Sequence, residues 1–318
     1  MSRQPTMVQQ ARAYLDHRRT LGFELKWGKH LVVPFAEFVD RSGWRGPLTT
    51  DLILRWVRLP EPAARSYMKR RLSAVRGFAR YLAARDSRSE VPDWRLMPRP
   101  LRPQPHFYDE RQIKQLLAAA GRMRPTYQLR PLTYQTLLGL LASTGMRISE
   151  GLKLTRGQID LERGILRIER TKFKKSRLIP LHPTATRALR RYAAARDSQW
   201  GPHDERAFFI CRRGLALQYP TVSIAFRRLC QDLGWHRGNG EWPRPRIHDL
   251  RHSFACRRLL RWYRNGENVN HRIAALSTYL GHSNVTSTYW YLTAVPELLA
   301  IAASRFERFM APAERSSS

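Results

Sequence analysis

The chain has 318 residues, 42% of them hydrophobic, and its 57 Lys and Arg against 25 Asp and Glu give a formal charge of +32. The hydrophobic share excludes an intrinsically disordered chain, and the length suffices for two domains whose cores need neither disulfide nor metal. Such a charge points to a polyanion, DNA or RNA rather than a membrane, since no lipid-binding element accompanies it; the plainer alternative is an arginine-rich composition without a partner.

No apolar run approaches the roughly 18 residues needed to span a bilayer. The opening residues MSRQPTMVQQARAYLD contain no apolar stretch, so no secretory leader is expected. Cys211, Cys230 and Cys256 are odd in number and scattered. That usage predicts reduced thiols in a cytoplasmic protein and offers no metal spacing.

Taken in chain order, the pattern is helical at residues 8–25, 29–42, 49–58 and 63–85, with Gly or Pro between the segments. In the last of these, Met68, Leu72, Val75, Ala79 and Leu82 form one stripe at helical spacing. Arg65, Lys69, Arg76 and Arg80 fall within a neighbouring arc, either a DNA-contacting face or a solvated one. Prolines then crowd residues 91–105, where backbone donors are lost and helix is disfavoured. The expected domains are therefore a helical DNA-binding domain over 1–100, a Pro/Arg-rich linker over 101–108, and a second domain over 109–318.

The second domain is predicted to be mostly helical, with helices near 109–121, 131–144, 184–196, 220–233, 248–264, 269–280, 284–292 and 296–310. Between them, GILRIERT (164–171) and RLIPL (177–181) read as two strands joined by a short basic turn. The fold class expected is mainly α with one small antiparallel β-sheet.

Five short stretches then arrive in order: TGMRISE around Arg147, RTKFKKSRLIPL around Lys172, IHDLRH with His248 and Arg251, YLGH ending at His282, and STYWYL with Tyr289 and Tyr291. Each alone is weak. Together, in this order, they resemble the signature boxes of the tyrosine recombinase (phage integrase) family over roughly residues 105–310. Residues 1–100 are similar to that family's core-binding domain.

The chemistry can be followed from the side chains. Breaking a phosphodiester without losing its bond energy needs a covalent intermediate, for which a tyrosine can be the nucleophile. Negative charge on the phosphate oxygens calls for fixed cations, and arginine binds oxygens bidentately at any relevant pH. Arg147 and Arg251 are the candidates. Arg147 follows Gly145 at a predicted helix start, where backbone N–H groups also favour a phosphate. The leaving 5′ oxygen needs a proton, for which Lys172, Lys174 and Lys175 compete on the basic turn.

The resemblance implies specific roles. It selects Lys172 as the catalytic lysine and leaves Lys174 and Lys175 as DNA backbone contacts. It makes His248 and His282 phosphate-site histidines and His252 structural. The nine-residue step from His282 selects Tyr291 as the nucleophile, leaving Tyr289 and Trp290 to pack the helix. It further implies double-stranded DNA as substrate, a homotetramer on DNA, and no cofactor. A zinc pair at His248 and His252 is disfavoured because Asp249 replaces the general-base Glu and no third ligand is placed. Glu150 and Asp249 are read as carboxylates that orient cations.

One departure appears. Thirty residues separate Arg251 from His282, and the excess falls in RWYRNGENVNHR (261–272), which is expected to form a contact loop. The apolar positions Leu298, Leu299, Ile301, Ala302 and Phe306 of the last helix suit docking on a neighbouring subunit or on the chain itself. Two rival readings remain open at this point. A type IB topoisomerase shares the chemistry, but its lysine near the tyrosine is absent. An inactive DNA-binding accessory protein would have lost a box residue, and none is lost.

Overall fold

Burial at helical spacing explains the first unit of the chain. The computed structural model describes residues 5–23, 28–59, 64–97, 105–169, 176–203, 206–235, 245–282, 284, 286, 288 and 289. The chain divides into two units, Met1–Arg102 and Pro103–Ser318.

In the first unit, α1 (Met7–Thr20), α2 (Gly28–Arg41), α3 (Thr50–Arg58) and α4 (Arg65–Ala83) form a bundle. α1 starts at a capping box, in which the Thr6 hydroxyl accepts from the Gln9 N–H and the Gln9 side chain accepts from the Thr6 N–H. The core joins Tyr14, Phe35, Trp56 and Phe78 to the stripe Leu72, Val75, Ala79 and Leu82. Met68 lies at the edge of that stripe, partly buried. Edge-on aromatic packing between Phe35 and Trp56, 5.3 Å apart, fixes α2 against α3.

The second unit holds α5 (Glu110–Gly121), α6 (Arg130–Thr144), α7 (Ile148–Lys153), α8 (Pro183–Trp200), α9 (Tyr219–Asp232), α10 (Ile247–Arg264) and α11 (Val269–Leu280). Its sheet has β1 (Ile159–Asp160), β2 (Ile165–Ile168) and β3 (Arg177–Pro180), antiparallel in that order. Ile168 pairs with Arg177 and Ile165 with Pro180. Leu166 and Ile179 enter a core shared with Leu137, Leu141, Tyr192, Phe208 and Leu250. A second cluster of Phe254, Leu259, Val269, Leu276 and Leu280 seats α11 on α10.

The fold is therefore mainly helical with one small antiparallel sheet, as expected. Three details differ from the sequence reading. β1 adds a third strand, too short to leave an alternating pattern. Residues 261–272 form no extended loop: the first four complete α10, the last four begin α11, and only 265–268 connect them. Asn268 caps α11, and Glu267 pairs with Arg272 at 2.6 Å. The interval after Arg251 is thus filled by longer helices. Finally, Tyr289, expected to pack, is 44% exposed. The helix expected over 296–310 lies outside the described residues, and no described helix is long and apolar enough to cross a membrane.

Candidate phosphate-binding site

Two helices end in left-handed glycines, and both ends are held by arginine. α6 stops at Gly145 (φ 64°) and α11 at Gly281 (φ 67°), a conformation that a side chain disfavours. The last carbonyls of a helix have no partner within it and carry the negative end of its dipole, so cations suit them. Arg251 spans both ends. Its Nη1 donates to the Gly145 carbonyl at 2.9 Å and its Nη2 to the Leu280 carbonyl at 2.7 Å. With 2% of its surface exposed, this guanidinium is set from beneath by the fold.

Arg147 approaches from the other side. It is the residue before α7, and its own N–H donates to Glu150 Oε2 at 2.9 Å. Its Nη1 donates to Glu150 Oε1 at 3.0 Å and its Nη2 to the Gly281 carbonyl at 2.7 Å. It keeps 28% of its side chain exposed. The turn after α11 is thereby shared: Leu280 is bonded by Arg251 and Gly281 by Arg147.

A third arginine completes the group. Arg177, the first residue of β3, donates through both terminal nitrogens to Glu150, at 3.1 and 2.8 Å. Burial alone would raise the Glu150 carboxyl. The hydrogen bonds from Arg177 and the Arg147 N–H, with the charges of both arginines, hold it below its ordinary value.

α10 supplies two histidines and the turn after α11 a third. His248 is exposed, and one turn on, His252 meets it edge to face at 4.7 Å between ring centres. His282 follows Gly281, and its Nδ1 lies 2.7 Å from the hydroxyl of the fully buried Thr288. Its pKa falls to about 4, first through burial and then through the charges of Arg251, Arg147, His248 and Arg177. One imidazole therefore senses four other basic side chains, and it stays neutral near pH 7.

Glu150 neutralises part of this charge. The other nearby carboxylate, Asp249, is fully buried and spent on Arg246, which precedes α10 and bonds it at 2.8 Å. Asp249 thus orients a cation, as expected, but one outside the arginine group. What remains is a preorganised, partly desolvated cationic site able to bind and polarise a phosphodiester.

Arg147, His248, Arg251 and His282, which lie up to 135 residues apart in sequence, are thus brought together. Lys172, Lys174, Lys175 and Tyr291 lie outside the described residues. Arg65, Lys69, Arg76 and Arg80 lie on α4 of the first unit. Arg65 and Arg80 are exposed there. Lys69 sits 5.7 Å above the Trp94 ring, and Arg76 donates to the Pro92 carbonyl at 2.7 Å. The sequence reading missed Arg177. The alternation in β3 carried a signal, since Arg177 shares a face with buried Ile179, whereas Leu178 between them is 62% exposed. An arginine on the inward face of a strand announces a buried partner.

The chain is similar to several known proteins in sequence and in fold. The phage integrase family profile matches residues 106–297. An integrase/recombinase of Sinorhizobium fredii, y4rB, is 38% identical over 95% of this chain and 98% of its own length. Tyrosine recombinase XerC of Chlamydia caviae is 29% identical over 73% of this chain and 69% of its own. In fold, the chain resembles the Tn1549 transposon integrase in complex with transposon right end DNA. That match has a TM-score of 0.70 and 18% identity, covering 96% of this chain and 99% of the integrase chain. The XerH site-specific recombinase bound to palindromic difH substrate gives 0.64 at 18% identity, over 95% and 85% of the two chains. The arginine group therefore lies in a chain that belongs to the phage integrase family, the tyrosine recombinases of DNA.

Proposed function

We propose that the chain cuts and rejoins double-stranded DNA at specific sites through a 3′-phosphotyrosyl intermediate. The observation that carries this reading is the convergence of Arg147, Arg251, His248 and His282 on one site, arranged around two helix ends. Arg147 and Arg251 hold the non-bridging oxygens of the scissile phosphate, and neutral His282 donates a further hydrogen bond to it. The Tyr291 phenol attacks phosphorus while His248 receives its proton. The bond from phosphorus to the 5′ oxygen breaks, and Lys172 protonates the leaving oxygen. A 5′ hydroxyl from a partner strand reverses the step, so bond energy is kept in the ester and no metal or nucleotide is consumed.

Residues 1–100 act in this reading as a DNA-binding domain, joined through 101–108 to a catalytic domain over 109–318. The division of the chain after Arg102 supports that assignment. Arg65, Lys69, Arg76 and Arg80 contact the DNA backbone from the first, as do Lys174 and Lys175 from the second. The charge of +32 supports DNA as partner. Four copies act together on two sites through a Holliday junction, in the cytoplasm. The likeness to an integrase/recombinase and to a transposon integrase supports integration, excision or transposition of a mobile element.

The test is covalent capture on a nicked duplex. The duplex sequence is enriched from a random pool by the wild-type protein, and the nick lets the cleaved fragment diffuse away. Tyr291→Phe is expected to bind this duplex normally and to form no covalent adduct. An undiminished adduct would refute the nucleophile. Joining of two sites, rather than relaxation of supercoils alone, separates recombination from topoisomerase action.

A further inference from the structure

Arg177 does more than occupy a strand end. Three elements meet at its guanidinium: β3, which it begins; α7, through its two bonds to Glu150; and the turn after α11. The last contact is close. A Cβ added to Gly281 would lie 2.9 Å from Arg177 Nη1 and 3.4 Å from Arg147 Nη1. The pair with Glu150 is well covered, with 12% of the Arg177 side chain and 7% of the Glu150 side chain exposed. Two parallel bonds to one carboxylate fix orientation as well as distance, which a lysine cannot reproduce.

The consequence lies in what β3 is attached to. Arg177 pairs with Ile168 across the hairpin, so it stands at the point where the connection 169–176 returns to the sheet. That connection contains Lys172, Lys174 and Lys175. Glu150 is also the carboxylate that orients Arg147. One side chain thus ties the lysine-bearing hairpin to the residue that orients a phosphate-binding arginine.

We propose that Arg177 is a positioning residue: by gripping Glu150 and abutting Gly281, it sets the register of the β2–β3 hairpin so that its proton donor meets the leaving 5′ oxygen. It acts through the hairpin and not on the phosphate. This role rests on the phosphotyrosyl chemistry proposed above.

The leaving group offers a test that a merely structural ion pair would not pass. When the phosphorus–oxygen bond breaks, the electron pair goes to the 5′ oxygen and a proton must follow from the lysine. With sulfur at that bridging position the pair stays on a thiolate, whose acid has a pKa of about 8.5 for an ordinary thiol, and no proton is needed. Single-turnover cleavage is measured on matched nicked duplexes bearing oxygen or sulfur. Arg177→Ala is expected to cleave the oxygen duplex about 100-fold more slowly than wild type, the scale of loss for a misplaced catalytic group. On the sulfur duplex it is expected to approach the wild-type rate. Arg177→Lys keeps the charge with one contact, and is expected to give a smaller loss with the same recovery; it carries the test if the alanine variant does not fold. Equal losses on both duplexes, or no loss on either, would overturn the proposal. Lys172→Ala, run in parallel, reads the donor separately. Recovery of Arg177→Ala without recovery of Lys172→Ala moves the proton donor to Lys174 or Lys175 and leaves the role of Arg177 standing.

Discussion

Replacing Gly145 by alanine perturbs the point where α6 ends and Arg251 is held. Two costs add. The residue has φ 64°, and a left-handed backbone costs a residue with a Cβ roughly 1–2 kcal/mol. The new Cβ would also stand 2.4 Å from Phe254 Cδ1, so the ring must move. Phe254 is 8% exposed and stacks on Tyr279 at 5.7 Å, leaving it little room. Overpacking of this kind costs about 1–3 kcal/mol, so the whole is about 2–5 kcal/mol. For a unit of this size, that lowers the melting temperature by roughly 5–20 °C. Gly139 in the same helix is the control. Its added Cβ would lie 3.7 Å from Leu117, an ordinary contact, and an ordinary helical φ lets alanine stabilise by roughly 0.5–1 kcal/mol. Both variants are read by thermal melting of the full chain. Gly145→Ala melting within a degree of wild type, or below it by no more than Gly139→Ala, would refute the reasoning.

Three further outcomes follow from the same geometry. Glu150→Gln removes the buried carboxylate that Arg147 and Arg177 share and leaves two partly covered guanidiniums without their common anion; urea unfolding should show a loss of about 3 kcal/mol, and a loss below about 1 kcal/mol would mean that Glu150 is not their shared anchor. His282 titrates near pH 4 in the folded chain, against an ordinary 6.5, so the unfolded state takes up this proton first as pH falls. Its contribution to stability is complete above about pH 6.5 and is lost on descending to about 4; the urea midpoint of His282→Gln should fall less over that window, and parallel profiles would contradict the assignment. DNA binding should weaken with salt with a log–log slope near −0.9 per phosphate neutralised, and a flat response would remove the charge argument.

Much of this was legible from the residues. The stripe Leu72, Val75, Ala79 and Leu82 identified one face of α4 because helical burial repeats locally. The order of Arg147, His248, Arg251 and His282 was visible because each stands in a short motif that resembles a signature box of the family. What escaped the sequence was long-range pairing. Arg177 finds Glu150 across 27 positions: the alternation of β3 marks its inward face, but nothing local names the carboxylate it meets. Arg71 is similar: it lies over the Trp56 ring at 3.6 Å and is buried in the first unit's core, though it reads as one more surface arginine. The burial of Arg251 was also hidden, since the sequence marks its chemistry but not that two helix-end carbonyls hold it in place. The segment 261–272 misled because its Asn-Gly-Glu-Asn run looks like a loop, whereas two of those residues serve as helix boundaries.

The central claim is that a single tyrosine hydroxyl receives the DNA strand at this arginine site. The direct measurement is to trap wild-type protein on the nicked duplex, digest both components, and sequence the peptide that carries the remaining nucleotide by mass spectrometry. The account predicts a 3′-phosphodeoxynucleotide on Tyr291. A nucleotide on Tyr289, or one linked through its 5′ phosphate, would contradict it.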